Sequence, residues 1–556
     1  MLKTIQLWWS GSWLVHNLER LAVCSAAAWH GCWLGRFLAR PWEDTPQAYT
    51  ASRVQRCRCS LADRWHRVAA GLQTRLSDSY LLGRWPNWLA ADLAWAWQGS
   101  LLRQGDVLFV PARQGNSKPR RPLDQTPPQW RLLVYALVAS LFLAAVILLP
   151  QGLTLLKWGV MGIAVALVWA RPKAALCAVA FLLPILPILS TLMLIVVAFV
   201  ARVCQGEPLA PRSSWLRTLA ALFCLVGLAA ALSSADTVAA LRYWRYYLGG
   251  FLLLVLLMDA LRTQHAIAQV LTWGLLGAVT VAALSLWQYV GGMPTNLSWV
   301  DIRVSAITTR VVGTFDNPNM LAGYLVAWLP FAVVRVLDKE SSLRVRLANL
   351  FVMGLLGLSL VLTFSRGGWL AFAAALFVIV ACQEPRLFWG VPLLLLAAPL
   401  VLPPVIWQRL ASIVNLEDTS NMVRLYVWES SAKMFLANWL LGIGQGLVPF
   451  ARIYPIYQYG IVPALHAHSL ILQLAVEGGI FSLLLFLWIC VALWRQAMKC
   501  WRATPAWTVP VGAALLGHLV HGVFDHAWYD LRLMFVFWLL TGLASAVARL
   551  KLGEAK

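Results

Sequence analysis

The chain has 556 residues, of which 60% are hydrophobic and only 12% charged. Soluble domains carry about 25% charged residues, so a soluble globular protein is excluded and an all-α polytopic membrane protein is indicated. The net charge of +22 does not point to nucleic acid, because the basic residues are scattered through the N-terminal segment and the short loops between apolar runs. That is the footprint of cytoplasmic loops under the positive-inside rule.

Residues 1–130 are rich in Trp and Arg and never sustain an apolar run of membrane length. A weak duplication runs through them. "GSWL" at 11–14 is followed by "WHGCWL" at 29–34, and "DSYLLGRW" at 78–85 by "WQGSLL" at 97–102. Basic helices with Trp on one face lie in the membrane interface, and a small cytoplasmic helical domain has the same composition. The segment therefore reads as a cytoplasmic or interfacial arm ending in the linker 113–129. Asn17, Glu19 and Arg20 break the first apolar residues, so no cleavable signal peptide is predicted. Cys57 and Cys59 lack zinc spacing, and no disulfide is expected.

Apolar runs follow at 132–149, 152–170, 174–189, 190–203, 215–233, 238–260, 266–289, 317–336, 346–364, 368–382, 387–405, 468–494, 508–526 and 530–549. Runs of about 20 residues cross a bilayer core of about 30 Å, which gives 12–14 transmembrane helices. Pro184 and Pro187 leave open whether the third and fourth runs are one kinked element. With an even count, the basic loops at 171, 201, 261, 335, 383 and 494 and the tail from Lys551 all lie inside. Both termini are then cytoplasmic. The predicted organisation is an arm (1–130), a first transmembrane block (131–405), a large outward loop (406–467) and a C-terminal transmembrane block with a basic tail (468–556).

Three polar segments fall on the outer face. "TTRVVGTFDNPNMLAGYL" (308–325) carries Arg310 and then Asp316, Asn317 and Asn319 around Pro318. "TFSRGGWLAF" (363–372) sets Arg366 in a short turn. The third runs from "DTSNMVRLYVWESSAKMF" (418–435), with Arg424, through "GIGQG" to "HAHSLILQLAVEGG", with His466, His468 and Glu477. An arginine at membrane depth costs about 2.5–3.5 kcal/mol, so it snorkels to the edge or has a partner. Guanidinium suits phosphate oxygens. Arg310, Arg366 and Arg424 are candidates to surround a diphosphate, and Arg245 in "LRYWRYYLGG" is placed to join them. Imidazole suits proton abstraction from a hydroxyl. His518, His521 and Asp525, at i, i+3 and i+7, read as the lining of a polar cavity in preference to a metal site. With a helix starting near His468, Glu477 lies about 13 Å deeper on the opposite face and satisfies a group on a neighbouring helix. His466 also faces away if that helix extends back to it. Trp407, Tyr454, Tyr457 and Tyr459 suit sugar stacking or a membrane-interface belt.

Four blocks in order resemble the O-antigen ligase family, whose superfamily includes O-antigen polymerases: "GTFDNPNMLAGYL", "TFSRGGWLAF", "RLYVWESSAKMF" with "LLGIGQG", and "HAHSLILQLAVEGGIFSLLLF". The resemblance covers about 130–550. The family's ligase motif is His, then Asn, Ser or Gln, nine residues, and Gly-x-x-Gly/Thr/Tyr. His468-Ser469 and Gly479 fit it, while Ser482 departs from the last position. The resemblance implies a metal-independent inverting glycosyltransferase of the bacterial inner membrane, with no cofactor. Its donor would be a glycan on undecaprenyl diphosphate and its acceptor a glycolipid or other hydroxyl. His468 would be the catalytic base, and Arg310, Arg366, Arg424 and Arg245 would hold the diphosphate. Asp316, Asn317, Asn319, Glu477, His466 and Asp525 would support them. A glycan polymerase of the same superfamily is the alternative within this chemistry. The arm resembles that of a subgroup labelled as inorganic carbon transporters, which makes bicarbonate transport the alternative from another class. A transporter places its polar residues near the midplane, whereas here they gather at one face. Lys157 is the main exception.

Overall fold

The computed structural model describes residues 162, 175–204, 214–293, 309–390, 403–412, 419–460 and 462–551. All lie in one compact unit, Ser77–Lys556. The Trp-rich arm, the run predicted at 132–149 and, apart from Gly162, the run at 152–170 lie outside the described residues, as does most of the run at 387–405. Among the described residues every regular element is a helix.

The helices are α1 (Ala175–Leu182), α2 (Ile188–Cys204), α3 (Trp215–Leu232), α4 (Thr237–Ala260), α5 (Gln264–Val290), α6 (Pro318–Leu337), α7 (Leu343–Leu362) and α8 (Arg366–Gln383). After these come α9 (Pro404–Ala411), α10 (Thr419–Ala437), α11 (Leu447–Tyr457), α12 (Leu470–Cys500), α13 (Pro505–Phe524) and α14 (Leu531–Lys551). Eight of them, α3, α5 to α8 and α12 to α14, are long and apolar enough to cross a membrane. The fold is an all-α polytopic membrane protein. Pro184 and Pro187 break the third and fourth runs into α1 and α2, joined by a turn over 183–187.

Local chemistry sets the helix starts. Asn317 caps α6, its side chain accepting the N–H of Asn319 at 2.9 Å, and Pro318 follows at the first helical position, where its missing N–H costs nothing. Ser365 caps α8 by accepting from Gly368. The predicted outward loop is itself structured: α9, α10 and α11 fold within 404–457. Val427, Met434, Phe450 and Tyr454 form a second small core there with Val476 of α12.

Helices α6 and α14 form the centre of the bundle, with 89% and 83% of their apolar windows buried, against 33% for α7 and α8 at the periphery. Lipid tails are as apolar as leucine, so close packing rather than solvent exclusion holds such helices together. Gly323 of α6 shows it: a Cβ there would stand 2.9 Å from Cε1 of His521 on α13. One end of the bundle carries ion pairs of buried and half-buried groups. Arg202 meets Asp259 at 2.6 Å, Arg262 meets the same carboxylate at 2.8 Å, and Arg335 meets Asp338 at 2.7 Å. The other end carries the three polar segments.

Candidate functional site

The segment 309–317, the turn 363–365, the stretch 462–469 and the turn 525–530 each adjoin the end of a packed helix. A hydrogen bond ties the first to the second, and Asn319, in the first turn of α6 just after the first segment, is bonded to the fourth. Gln288 at the end of α5 fixes the first segment by a reciprocal pair with Gly313. It donates to the Gly313 carbonyl at 2.9 Å and accepts the Gly313 N–H at 2.8 Å. Among the described non-glycine residues, those with positive φ are Asp316 (55°), Phe364 (50°) and His468 (48°). One falls in each of the three segments singled out from sequence. Left-handed backbone is unfavourable for bulky residues and gathers where function demands it.

Arg310 is buried. Its Nε donates to the Thr363 carbonyl at 2.8 Å and its Nη2 to Asn319 Oδ1 at 3.1 Å. Arg366 donates to Ser412, to the carbonyl at 2.9 Å and to the hydroxyl at 3.1 Å. Arg409 of α9 donates to the Phe364 carbonyl at 3.3 Å. Burial, then the charges of Arg409, Arg424 and Arg366, pushes the Arg310 guanidinium down to about 9. It therefore stays charged at neutral pH within a cluster of four arginines. Such a cluster attracts a polyanion.

Asn319 joins this cluster to the histidines. Its Nδ2 donates to Asp525 Oδ2 at 2.9 Å. The other oxygen, Oδ1, accepts the backbone N–H of His526 at 2.8 Å and stands 3.6 Å from His468 Nδ1. That is an ion-pair distance, longer than a hydrogen bond. Asp525 is buried, which opposes ionisation. The proximity and charge of His468, with the charges of Arg424 and His466, outweigh burial and hold the carboxyl well below its ordinary range. Burial, reinforced by His468, pushes the His466 imidazole down to about 3. Burial likewise lowers His526. His466 and His468 lie with ring centroids 4.2 Å apart. Trp428 of α10 donates to the His468 carbonyl at 3.2 Å.

The expectation that His466 faces away assumed a helix reaching back through it. Helix α12 begins at Leu470, and the left-handed backbone at His468 brings the two rings together. The reading of His518, His521 and Asp525 as one helix face also differs from the structure. Asp525 follows the last residue of α13 in extended conformation (φ −149°, ψ 159°), which turns its carboxylate toward His468 and Asn319.

Glu477 is buried and accepts three hydrogen bonds: from Tyr247 of α4 at 2.9 Å, Gly446 N–H at 2.9 Å and Gln473 at 2.8 Å. It thus satisfies a neighbouring helix and also reaches the histidine turn indirectly, because Gln473 Oε1 accepts the Ala467 N–H at 2.8 Å. Gly446 makes its bond at φ 101°, where a side chain would be strained. At Gly479 α12 departs from helical geometry (φ 66°, ψ −164°). The carbonyls of Val476 and Glu477 accept Ile443 and Gly444 at 3.0 Å each, and Ile480 donates to the Trp439 carbonyl at 2.7 Å. The "GIGQG" loop is docked on this break.

Arg245 is exposed and turns to Tyr246, with its guanidinium 4.9 Å from the ring centroid. Asp316 is also exposed. Tyr454 is buried, its hydroxyl on the Val462 carbonyl at 3.1 Å, so it is core and no sugar platform. Trp407 and Tyr459 are exposed. Sequence reasoning missed Arg409, Gln473, Trp428 and His526. Arg409 carried a signal, since it sits in a short amphipathic stretch, "PVIWQRLA", of the loop already assigned to the outer face.

Residues 351–487 match the family model described as O-antigen ligase. The match supports membership of the O-antigen ligase superfamily, and it takes in Arg366, Arg409, Arg424, His466, His468 and Glu477. No curated protein matches the chain.

Proposed function

We propose that the chain is a metal-independent, inverting membrane glycosyltransferase that moves a glycan from undecaprenyl diphosphate to an acceptor hydroxyl. One observation carries this reading. Asn319 bridges a cluster of arginines to a carboxylate that faces a half-exposed histidine. A glycosyl transfer from a diphosphate needs these two halves side by side.

In this mechanism Nδ1–H of His468 points at Asp525 and leaves Nε2 as the base. The acceptor O–H loses its proton to Nε2 as its oxygen attacks the anomeric carbon. The bond from that carbon to the diphosphate oxygen breaks on the opposite side, which inverts the configuration. The lipid diphosphate takes the electron pair. Arg310, Arg366, Arg409 and Arg424 neutralise its growing charge, the task a metal ion performs elsewhere. Asp525 stabilises the imidazolium that forms.

The basic loops beyond α2, α4 and α6 suit the cytoplasmic side. The site then opens to the outer face of a bacterial plasma membrane, where lipid-linked glycans are consumed. The test is reconstitution with an undecaprenyl-diphosphate glycan and candidate acceptors. The wild type should transfer the glycan and His468→Ala should lose about 10²–10⁴ in rate. Full activity in that variant would overturn the assignment. Products that lengthen by repeat units identify a polymerase, and a single addition to a distinct acceptor identifies a ligase.

A further inference from the structure

The transfer reading uses His468 and Asp525 but leaves His466 without a chemical role. One ligand atom each from His466, His468 and Asp525 lies within 4.8 Å of the other two. Zinc takes imidazole nitrogen and carboxylate oxygen, commonly with three protein ligands and an open fourth position. At Zn–N distances of about 2.0–2.1 Å, tetrahedral ligand atoms stand about 3.4 Å apart. The widest gap here closes by side-chain rotation of about 1.5 Å. Calcium and magnesium ask for about six oxygens, and one carboxylate does not supply them.

The surroundings suit such a site. His468 Nδ1 has no hydrogen-bond partner among the described residues, so no bond is broken to free it. His466 Nδ1 accepts the backbone N–H of His468 at 3.2 Å, which leaves its Nε2 to ligate. Asp525 is oriented by Asn319 at 2.9 Å and by the His526 N–H at 2.8 Å, the outer-shell support that ligating carboxylates receive. Arg424 stands nearby and repels a dication, so zinc binds here reversibly and not as a permanent structural ion.

We propose that His466, His468 and Asp525 bind one Zn²⁺ ion and that zinc shuts down acceptor activation at His468; the inhibitory half rests on the assignment of His468 as base. Zinc takes the lone pair of His468 Nδ1, so the neutral ring carries its one proton on Nε2. Nε2 then has no lone pair to offer, and the acceptor proton has no destination.

The test uses the full chain in nanodiscs and ZnCl₂ as the probe. Calorimetry should show one saturable, chelator-reversible zinc per chain, with affinity at least tenfold weaker in His466→Ala and in Asp525→Asn. Co²⁺ substitution in the wild type should give the visible absorption of a tetrahedral site, a readout independent of any variant's folding. Absence of saturable binding, or binding unchanged in both variants, overturns the site. Saturating zinc should slow transfer at least tenfold, and chelator should restore it. Bound zinc with an unchanged transfer rate overturns the inhibitory half. If no donor supports transfer while zinc binding behaves as stated, the glycosyltransferase reading fails and the zinc site stands.

Discussion

Gln473 reaches back six residues and accepts the Ala467 N–H at 2.8 Å, while its amide nitrogen donates to Glu477 at 2.8 Å. One buried side chain on α12 therefore fixes the turn that carries both His466 and His468, and ties it to the same carboxylate that holds Gly446.

Replacing Gln473 with leucine keeps the volume and removes both bonds. Catalytic geometry displaced by about 1 Å costs about 10²-fold in rate. The kcat of Gln473→Leu should fall by about that factor, with KM for the lipid-linked donor unchanged. Steady-state kinetics check it, and a change confined to KM would show that Gln473 acts on donor binding.

Arg310→Lys preserves charge but loses the planar fork that contacts Thr363 and Asn319 together. Lysine is a point charge on a flexible stem. Donor affinity should weaken by about tenfold, one charge-assisted contact of about 1.5 kcal/mol. Titration with a fluorescent lipid diphosphate measures it.

Gly479→Ala places a Cβ 2.3 Å from the Leu440 carbonyl oxygen at φ 66°. Backbone of that kind costs about 1–3 kcal/mol for a side-chain-bearing residue, and the steric clash adds to it. Its melting temperature in detergent should fall clearly. Gly512→Ala is the control: a Cβ there meets nothing within 4 Å, and alanine is the better helix former by about 1 kcal/mol. That variant should melt at or above the wild type.

Topology is tested by single cysteines in a background lacking all ten native ones. Leu465→Cys lies beside the histidine turn and is exposed, and it should react with an impermeant maleimide from the outer side. Lys339→Cys, beyond α6 at the opposite end, should react only after the membrane is opened. The reverse pattern would invert the proposed orientation.

Sequence alone located the bundle well. The run predicted at 266–289 is α5, Gln264–Val290, and that at 317–336 is α6, Pro318–Leu337, because apolar length and an Asn-Pro start are local signals. The interior of 406–467 was not legible. Helix α10 mixes polar and apolar residues without a membrane-length run, so hydropathy reads it as loop. The pairing of His468 with Asp525 was hidden for a different reason. It depends on where α13 stops, and one residue past that end the side chain leaves the face that a continued helix would give it. Arg409 and Gln473 act through contacts with carbonyls and amides of other segments, which no spacing rule encodes.

Asn319 has its oxygen committed to Arg310 and its nitrogen committed to Asp525. In the proposed transferase, a change that retunes donor recognition through Arg310 would thereby be transmitted to His468 and Asp525 through a single amide. Donor preference and acceptor activation would then not drift independently in descendants of this sequence. A lineage that adopts a new donor would carry compensating replacements at 319 or 525, and engineering one half of the site calls for screening the other half with it.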